Sequence, residues 1–332
     1  MHYIRHRSYN AAGDEGIVFQ RAIRDREKNG SDDNMASGAF RRKLNTQVDA
    51  DEFVENVLGI LDDDGSQAAK IVCAELGLQV LEDSPTVSSK NYRVAKYRLQ
   101  KDRKRLQDRI LSELITMTQL ENDDDICLGS GGAKPQNLQA GAQAYIVSGP
   151  PASGKSTITN TLAAENGAYV LDSDHAKRKF PEYHFYNGGA SLVHQESDQI
   201  IFGPGRQHLL EFCIYSRYNI VVPLVGRTDE SMKDICEKLI EAGYTIHIVN
   251  VVLPPEQCAA RAFRRYCKTD RYVPLSYIFD EVGTRPENIY FHLKREFGQN
   301  PHFGSFTQLS TDVPHNCPPK VLEATENSPF HT

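Results

Sequence analysis

One short stretch narrows the folds open to this chain more than any other: Ala144 to Leu162, AYIVSGPPASGKSTITNTL. An apolar run, Tyr145–Ser148, is followed by Gly149-x-x-x-x-Gly154-Lys155-Ser156 and then by a helix-compatible stretch, Ser156–Ala164. Strand, glycine-rich turn and helix in that order match the P-loop, or Walker A, pattern. The candidate phosphate cradle is Gly149, Pro150, Pro151, Ala152, Ser153, Gly154, Lys155, Ser156 and Thr157. Its glycines permit backbone angles that turn N–H groups toward phosphate oxygens, and the helix N-terminus adds partial positive charge. Lys155 is expected to reach the terminal phosphates and Ser156 to ligate Mg²⁺ through its hydroxyl.

Beyond the cradle, short apolar runs at Ala168–Leu171, Asn219–Leu224 and Thr245–Leu253 alternate with helix-like stretches. That rhythm predicts an α/β domain, a P-loop kinase-type parallel sheet flanked by helices, over residues 142–300. Upstream the pattern is helical. Residues 1–48 are polar and read as partly flexible, with one short helix around Ile17–Arg26. Residues 49–130 form a mainly helical region. Within it Phe53, Val57, Leu58 and Leu61 share one helical face, a second helix spans Gln67–Leu76, and a long amphipathic helix covers the segment from Ser88 to Leu120. Its basic run, Lys96–Arg109, is interrupted by Asp102 and Asp108 and reads as a solvated or packing face rather than a nucleic-acid surface. Asp, Gly and Pro then break the periodicity, which places a linker at 131–141, and residues 301–332 read as a C-terminal tail.

The chain has no guanine-reading Asn-Lys-x-Asp string, and the apolar runs around Val221 and Val249 end without a carboxylate, which excludes signalling GTPases and motor-type ATPases. The run at Ala168–Leu171 instead ends in Asp172 and Asp174. In a parallel sheet that strand end opens on the same crevice as the phosphates, where a carboxylate can act as base or anchor Mg²⁺-bound water. Later, Arg261, Arg264 and Arg265 fall on one helical face, with Arg271 just beyond. Several arginines presented together are what phosphoryl transfer needs to neutralise charge on the moving group.

The bulk properties bound the setting. The 332 residues carry a net charge of −6, which gives no global attraction to nucleic acid. No apolar run reaches the roughly 20 residues of a bilayer span, so no membrane partner is expected. The N-terminus lacks the apolar segment of a secretory signal, and the seven cysteines contain no Cys-x-x-Cys pair. A cytoplasmic protein is expected, with delivery as a secreted effector lacking a classical signal peptide left open.

Taken together, SGPPASGKST, LDSDHAKRKFPEYH, VHQESDQI, NIVVPLVGRTDES, AGYTIHIVNVVLPPEQCAARAFRRY and DRYVP, in that order over about Ala142–Leu293, resemble the zeta toxin family of P-loop kinases. The resemblance implies an ATP- and Mg²⁺-dependent transfer of phosphate to a hydroxyl of UDP-N-acetylglucosamine, as a toxin held by an antitoxin or chaperone partner. It implies Lys155 and Ser156 as phosphate and metal binders and Asp174 as catalytic base; Asp172, at the same strand end, is expected on the substrate side. Glu196 and Arg227 resemble substrate contacts, and Arg265 and Arg271 resemble the phosphate clamp. The chain departs from the family at Pro223, Leu224 and Val225, which stand where Glu-Gly-Thr is common, and in a short Arg265–Arg271 spacing. Each lost contact to a buried polar group would cost roughly 1–3 kcal/mol. NAD or another nucleotide therefore stands as the alternative acceptor, since family-like effectors of plant pathogens phosphorylate NAD. A non-catalytic nucleotide-binding interaction module is the alternative of a different class.

Overall fold

The computed structural model describes residues 44–60, 65–81, 85–185, 188–204, 207–269, 271–314 and 316–330. The helix expected around Ile17–Arg26 and the position of Leu61 lie outside them.

Five parallel strands and one antiparallel edge strand make a single sheet in the order β2-β3-β1-β4-β5-β6. These are β1 (Gln143–Ser148), β2 (Tyr169–Val170), β3 (Ile220–Leu224), β4 (Thr245–Val252), β5 (Phe303–Ser310) and β6 (Lys320–Ala324). The central strands are nearly continuous apolar runs because both of their faces are covered. In β1, Ala144 and Ile146 point into one core and Tyr145 and Val147 into the other, as the two-residue period of a strand requires. The first core is built on α3 (Gln100–Thr116), α7 (His194–Phe202), α8 (Leu209–Tyr215), α9 (Asp229–Glu241) and α11 (Arg285–Phe297); the second rests on α4 (Lys155–Asn166). Residues 301–332, read from the sequence as a tail, supply the last two strands, and Phe330 packs on the second core.

Pro223 stands in β3, in register with Val147. The pairing of β2 ends at Val170↔Val221, so that edge of β3 is open where the residue without an N–H occurs.

The N-terminal region is helical, as expected, but its elements are redistributed. α1 (Gln47–Asn56) is capped by Thr46, whose hydroxyl accepts from the Asp49 N–H, and α2 (Ser66–Leu81) runs longer than its expected span. The long amphipathic helix is shorter at its start than its periodicity implies: it begins at Gln100, while Tyr92 lies in a turn and Ala95 in a separate 3-10 helix, Ala95–Tyr97. Competing hydrogen bonds explain the difference. The Arg93 guanidinium donates to the carbonyls of Thr86 and Val87, and the Val94 N–H donates to Glu182 Oε1 at 2.8 Å rather than to a helical carbonyl. From Leu106 onward the expected face is buried at Leu106, Ile110 and Leu114, in the same core as the sheet. No helix among the described residues is long and apolar enough to cross a membrane.

A candidate phosphoryl-transfer site at the carboxyl ends of the strands

β1 stops at Ser148 and the cradle turns sharply. Gly149 (φ 153°) has no room for a Cβ, which would lie 2.5 Å from the Val251 carbonyl oxygen, and Gly154 (φ 87°) is the left-handed cap from which α4 starts. Ala152 also has positive φ, at 59°. Lys155 is folded back over the loop, its Nζ donating to the carbonyls of Gly149 and Pro150 at 2.7 Å each. Burial depresses its pKa to about 8 even though Asp172 and Asp174 act to raise it. Ser156 and Thr157 at the first turn of α4 are exposed, and Ser153 Oγ is buried without a hydrogen-bond partner among the described residues.

β2 delivers the two aspartates. Asp172 is the N-cap of α5 (Ser173–Arg178), its Oδ1 accepting from the Asp174 N–H at 2.8 Å. Burial, and then the neighbouring Asp174 charge, push its carboxyl up. Asp174 behaves oppositely. Burial works to raise it, but Lys177, whose Nζ is 3.0 Å from Oδ1, and Arg271, bonded to Oδ2, hold it well below the ordinary carboxylate range. The adjacent carboxylates are thus split into a cap that takes up protons readily and an anion locked between two cations.

The arginines come from α10 (Pro255–Thr269) and the segment after it. They do not act as one face. Arg261 turns to the Thr311 carbonyl at 2.8 Å, and Thr311 Oγ1 donates to the Ser153 carbonyl at 2.7 Å, so this arginine braces the cradle from behind. Arg265 faces the site. Its Nε is buried without a partner among the described residues, and burial followed by the Arg271 charge lowers its pKa to about 10. A buried guanidinium nitrogen without an acceptor among the described residues, together with a folded-back lysine at a glycine-rich loop that opens a helix, is a donor set suited to phosphate oxygens.

The structure therefore brings Lys155, Asp172, Asp174, Arg265 and Arg271 to one place beside the cradle. Arg227 lies farther out, half-exposed and paired with Glu281 at 3.0 Å; it and Asp174 both act on Tyr277, whose hydroxyl is raised first by burial. Glu196 is elsewhere in character. It is fully buried, with Arg103 Nε 2.7 Å from its Oε2 and the Gln107 side chain donating to the same oxygen at 3.0 Å. Two further charged residues take part, Lys177 on Asp174 and Arg103 on Glu196. Lys177 stands three residues after Asp174 in a helix, a spacing that signals an ion pair; Arg103 sits in a basic run that gives no such clue.

A family model described as zeta toxin matches residues 133–299, half of the chain. No curated protein matches. Among solved structures, a chain described as part of the PezAT chromosomal toxin–antitoxin system of Streptococcus pneumoniae is similar at 14% identity, with 68% of this chain and 82% of that one covered and a TM-score of 0.45. With the family model spanning the cradle, both aspartates and the arginines of α10, the chain belongs to the zeta toxin family of P-loop kinases.

Proposed function

We propose that this protein is a Mg²⁺-ATP-dependent kinase that phosphorylates a hydroxyl of a nucleotide-linked small molecule, with UDP-N-acetylglucosamine as the first acceptor to test. The observation that carries the reading is the placement of Asp174, held ionised by Lys177 and Arg271, beside a P-loop lysine. When bound on the loop, ATP would supply the phosphoryl group and Mg²⁺ would screen its charge, with the Ser156 hydroxyl as the group that would ligate the metal. The loop N–H groups and Lys155 hold the phosphate tail. Arg265 and Arg271 supply positive charge where negative charge spreads during a loose transfer. Asp174 orients the acceptor hydroxyl and receives its proton as the new O–P bond forms and the bond from the γ-phosphorus to the bridging oxygen of ATP breaks, ADP leaving with that bond's electron pair. A carboxylate of low basicity suits that role, because in a loose transfer the hydroxyl becomes acidic late. Asp172 holds α5, and with it Asp174, in register through the cap.

Family membership supports the toxin role and a protein antitoxin or chaperone as partner. The acceptor reading rests on that membership as well. The apolar, half-buried Pro223, Leu224 and Val225 at the mouth of β3 favour keeping NAD as the second acceptor, since this wall offers no side-chain hydrogen bonds to a sugar. Incubation with Mg²⁺-ATP and each acceptor, followed by mass spectrometry, tests both. A gain of one phosphoryl group on UDP-N-acetylglucosamine is expected; a gain on NAD alone moves the acceptor, and ATP binding with no phosphorylated product would leave the non-catalytic module.

A further inference from the structure

The helices α1 and α2 bury their apolar faces against the arginine-bearing helix. Phe53, Ile71 and Ala74 form one cluster with Phe263, Tyr266 and Tyr272. The Phe53 ring meets Phe263 edge-on at 6.5 Å, and Tyr266 meets Tyr272 at 5.2 Å. These contacts lie on the back of α10 and on the residue next to Arg271. Directional bonds cross the seam: Tyr266 Oη donates to the Lys70 carbonyl at 3.3 Å, and Tyr272 Oη donates to Glu75 Oε1 at 2.7 Å, with Tyr272 and Glu75 both buried. Burial, and then the Glu75 charge, raise the Tyr272 phenol well above its ordinary range, so it remains a donor.

A carboxylate is a costly group to place in an apolar seam, where a Leu at the same position would pack at no electrostatic cost. What it provides is orientation, because a hydrogen bond fixes distance and angle whereas apolar contacts permit sliding. With Tyr272 pinned inward, its neighbour Arg271 is presented on the other side, where it meets Asp174.

We propose that Glu75 is a positioning residue for phosphoryl transfer: by holding the Tyr272 hydroxyl it sets the place of the Arg271 guanidinium, which makes the N-terminal helix pair a working part of the site. The proposal rests on the reading of Arg271 as a group that neutralises the transferring phosphoryl. It assigns a role to a region that lies outside the matched residues 133–299.

The test uses the full chain and three variants. Tyr272→Phe removes the donor, Glu75→Leu removes the acceptor while keeping apolar packing, and Glu75→Gln keeps a carbonyl acceptor. Turnover of Mg²⁺-ATP with the acceptor that the wild-type chain phosphorylates, ATP affinity, thermal midpoint and the rate of trypsin cleavage after Arg271 are measured on each. Tyr272→Phe and Glu75→Leu are expected to slow turnover about tenfold or more, short of the about 10²–10³-fold loss of a charge-stabilising group itself. ATP affinity should stay within about twofold, and Glu75→Gln should recover most of the rate. Combining the first two changes should cost no more turnover than Glu75→Leu alone, because both remove the same Tyr272–Glu75 bond. Unchanged turnover, or losses that follow the thermal midpoint with Glu75→Gln no better than Glu75→Leu, would overturn the proposal. If the wild-type chain phosphorylates no acceptor, the kinase reading fails on its own account and trypsin decides the clamp. Faster cleavage after Arg271 in Tyr272→Phe and Glu75→Leu, with cleavage after Arg109 unchanged, supports it, and equal cleavage after Arg271 overturns it.

Discussion

Arg103 and Glu196 are 93 positions apart in sequence, yet Nε lies 2.7 Å from Oε2 with both side chains fully excluded from solvent. The same guanidinium gives Nη1 to Glu182 Oε1 at 2.9 Å and lies over the Phe180 ring at 4.6 Å, and Arg93 stands 3.9 Å from Glu196. Two buried arginines thus balance two buried glutamates across the junction of α3 with the kinase helices. Removing one member leaves a charge that neither water nor a partner can compensate. Arg103→Met is expected to lower unfolding free energy by about 3–5 kcal/mol, read from urea denaturation. Adding Glu182→Gln and Glu196→Gln to that variant should recover part of the loss. A loss below about 1 kcal/mol for Arg103→Met would mean that the pair is solvated in solution.

Asp174 has a partner on each oxygen, Lys177 and Arg271, and lies beside the cradle. Asp174→Asn preserves shape but removes the proton acceptor. Transfer to the acceptor is expected to fall by about 10²–10⁴-fold, the usual share of a positioned base, with ATP affinity changed far less. Asp172→Asn keeps the cap, because an Asn side-chain oxygen accepts from the Asp174 N–H as an Asp oxygen does. It should retain most of the rate. The two variants assayed side by side separate a chemical from a structural carboxylate.

What the sequence makes legible is local. The cradle, the strands β1 to β4 and the approach of Asp174 to it follow from a glycine spacing and from apolar runs, signals contained within a few residues. Arg271 was legible as a residue type but not as a partner of Asp174, since the two are 97 positions apart. The start of α3 was misplaced because apolar spacing continues through Tyr92 and Ala95, while the Val94 N–H is claimed by Glu182 from another element. Periodicity cannot report a hydrogen bond made over 88 residues. The basic run held the same lesson. Its charges look alike in sequence, but Arg103 is fully buried whereas Lys104 and Arg105 are more than half exposed.

Lys155 is poised to report on ligand binding through protons. Its pKa of about 8 in the free chain lies below the ordinary value of 10.5 because the ammonium is buried. Phosphate oxygens at the cradle favour the charged form and raise that pKa, so binding at or above pH 8 draws in a proton. The sign is that of a ligand preferring the protonated site: affinity for Mg²⁺-ATP is flat below about pH 7 and weakens as pH rises through 8. Near pH 8 an uptake of about half a proton is expected, measured by titration calorimetry in buffers of different ionisation enthalpy. Lys155→Met should bind more weakly and lose the dependence, whereas a wild-type affinity constant from pH 7 to 9 would place the ammonium in water.

His247 makes stability sensitive to acid. It is buried in β4, stacked on Tyr145 at 4.7 Å, with Nδ1 2.8 Å from Ser305 Oγ and Nε2 3.0 Å from Gln143 Oε1. A neutral ring that donates from Nε2 and accepts at Nδ1 satisfies both neighbours, and a second ring proton would have to displace the hydroxyl hydrogen. Burial lowers its pKa to about 4 from an ordinary 6.5. Between those values the unfolded chain binds the proton and the folded chain does not, so the contribution of the neutral ring is fully present above pH 6.5 and is lost as pH falls toward 4. The loss approaches about 1.4 kcal/mol per pH unit at its steepest. Unfolding free energies of the wild type and of His247→Gln, compared from pH 7 to 4.5, should show the wild type losing stability faster with acid, and parallel curves would mean that the ring is already open to water at neutral pH.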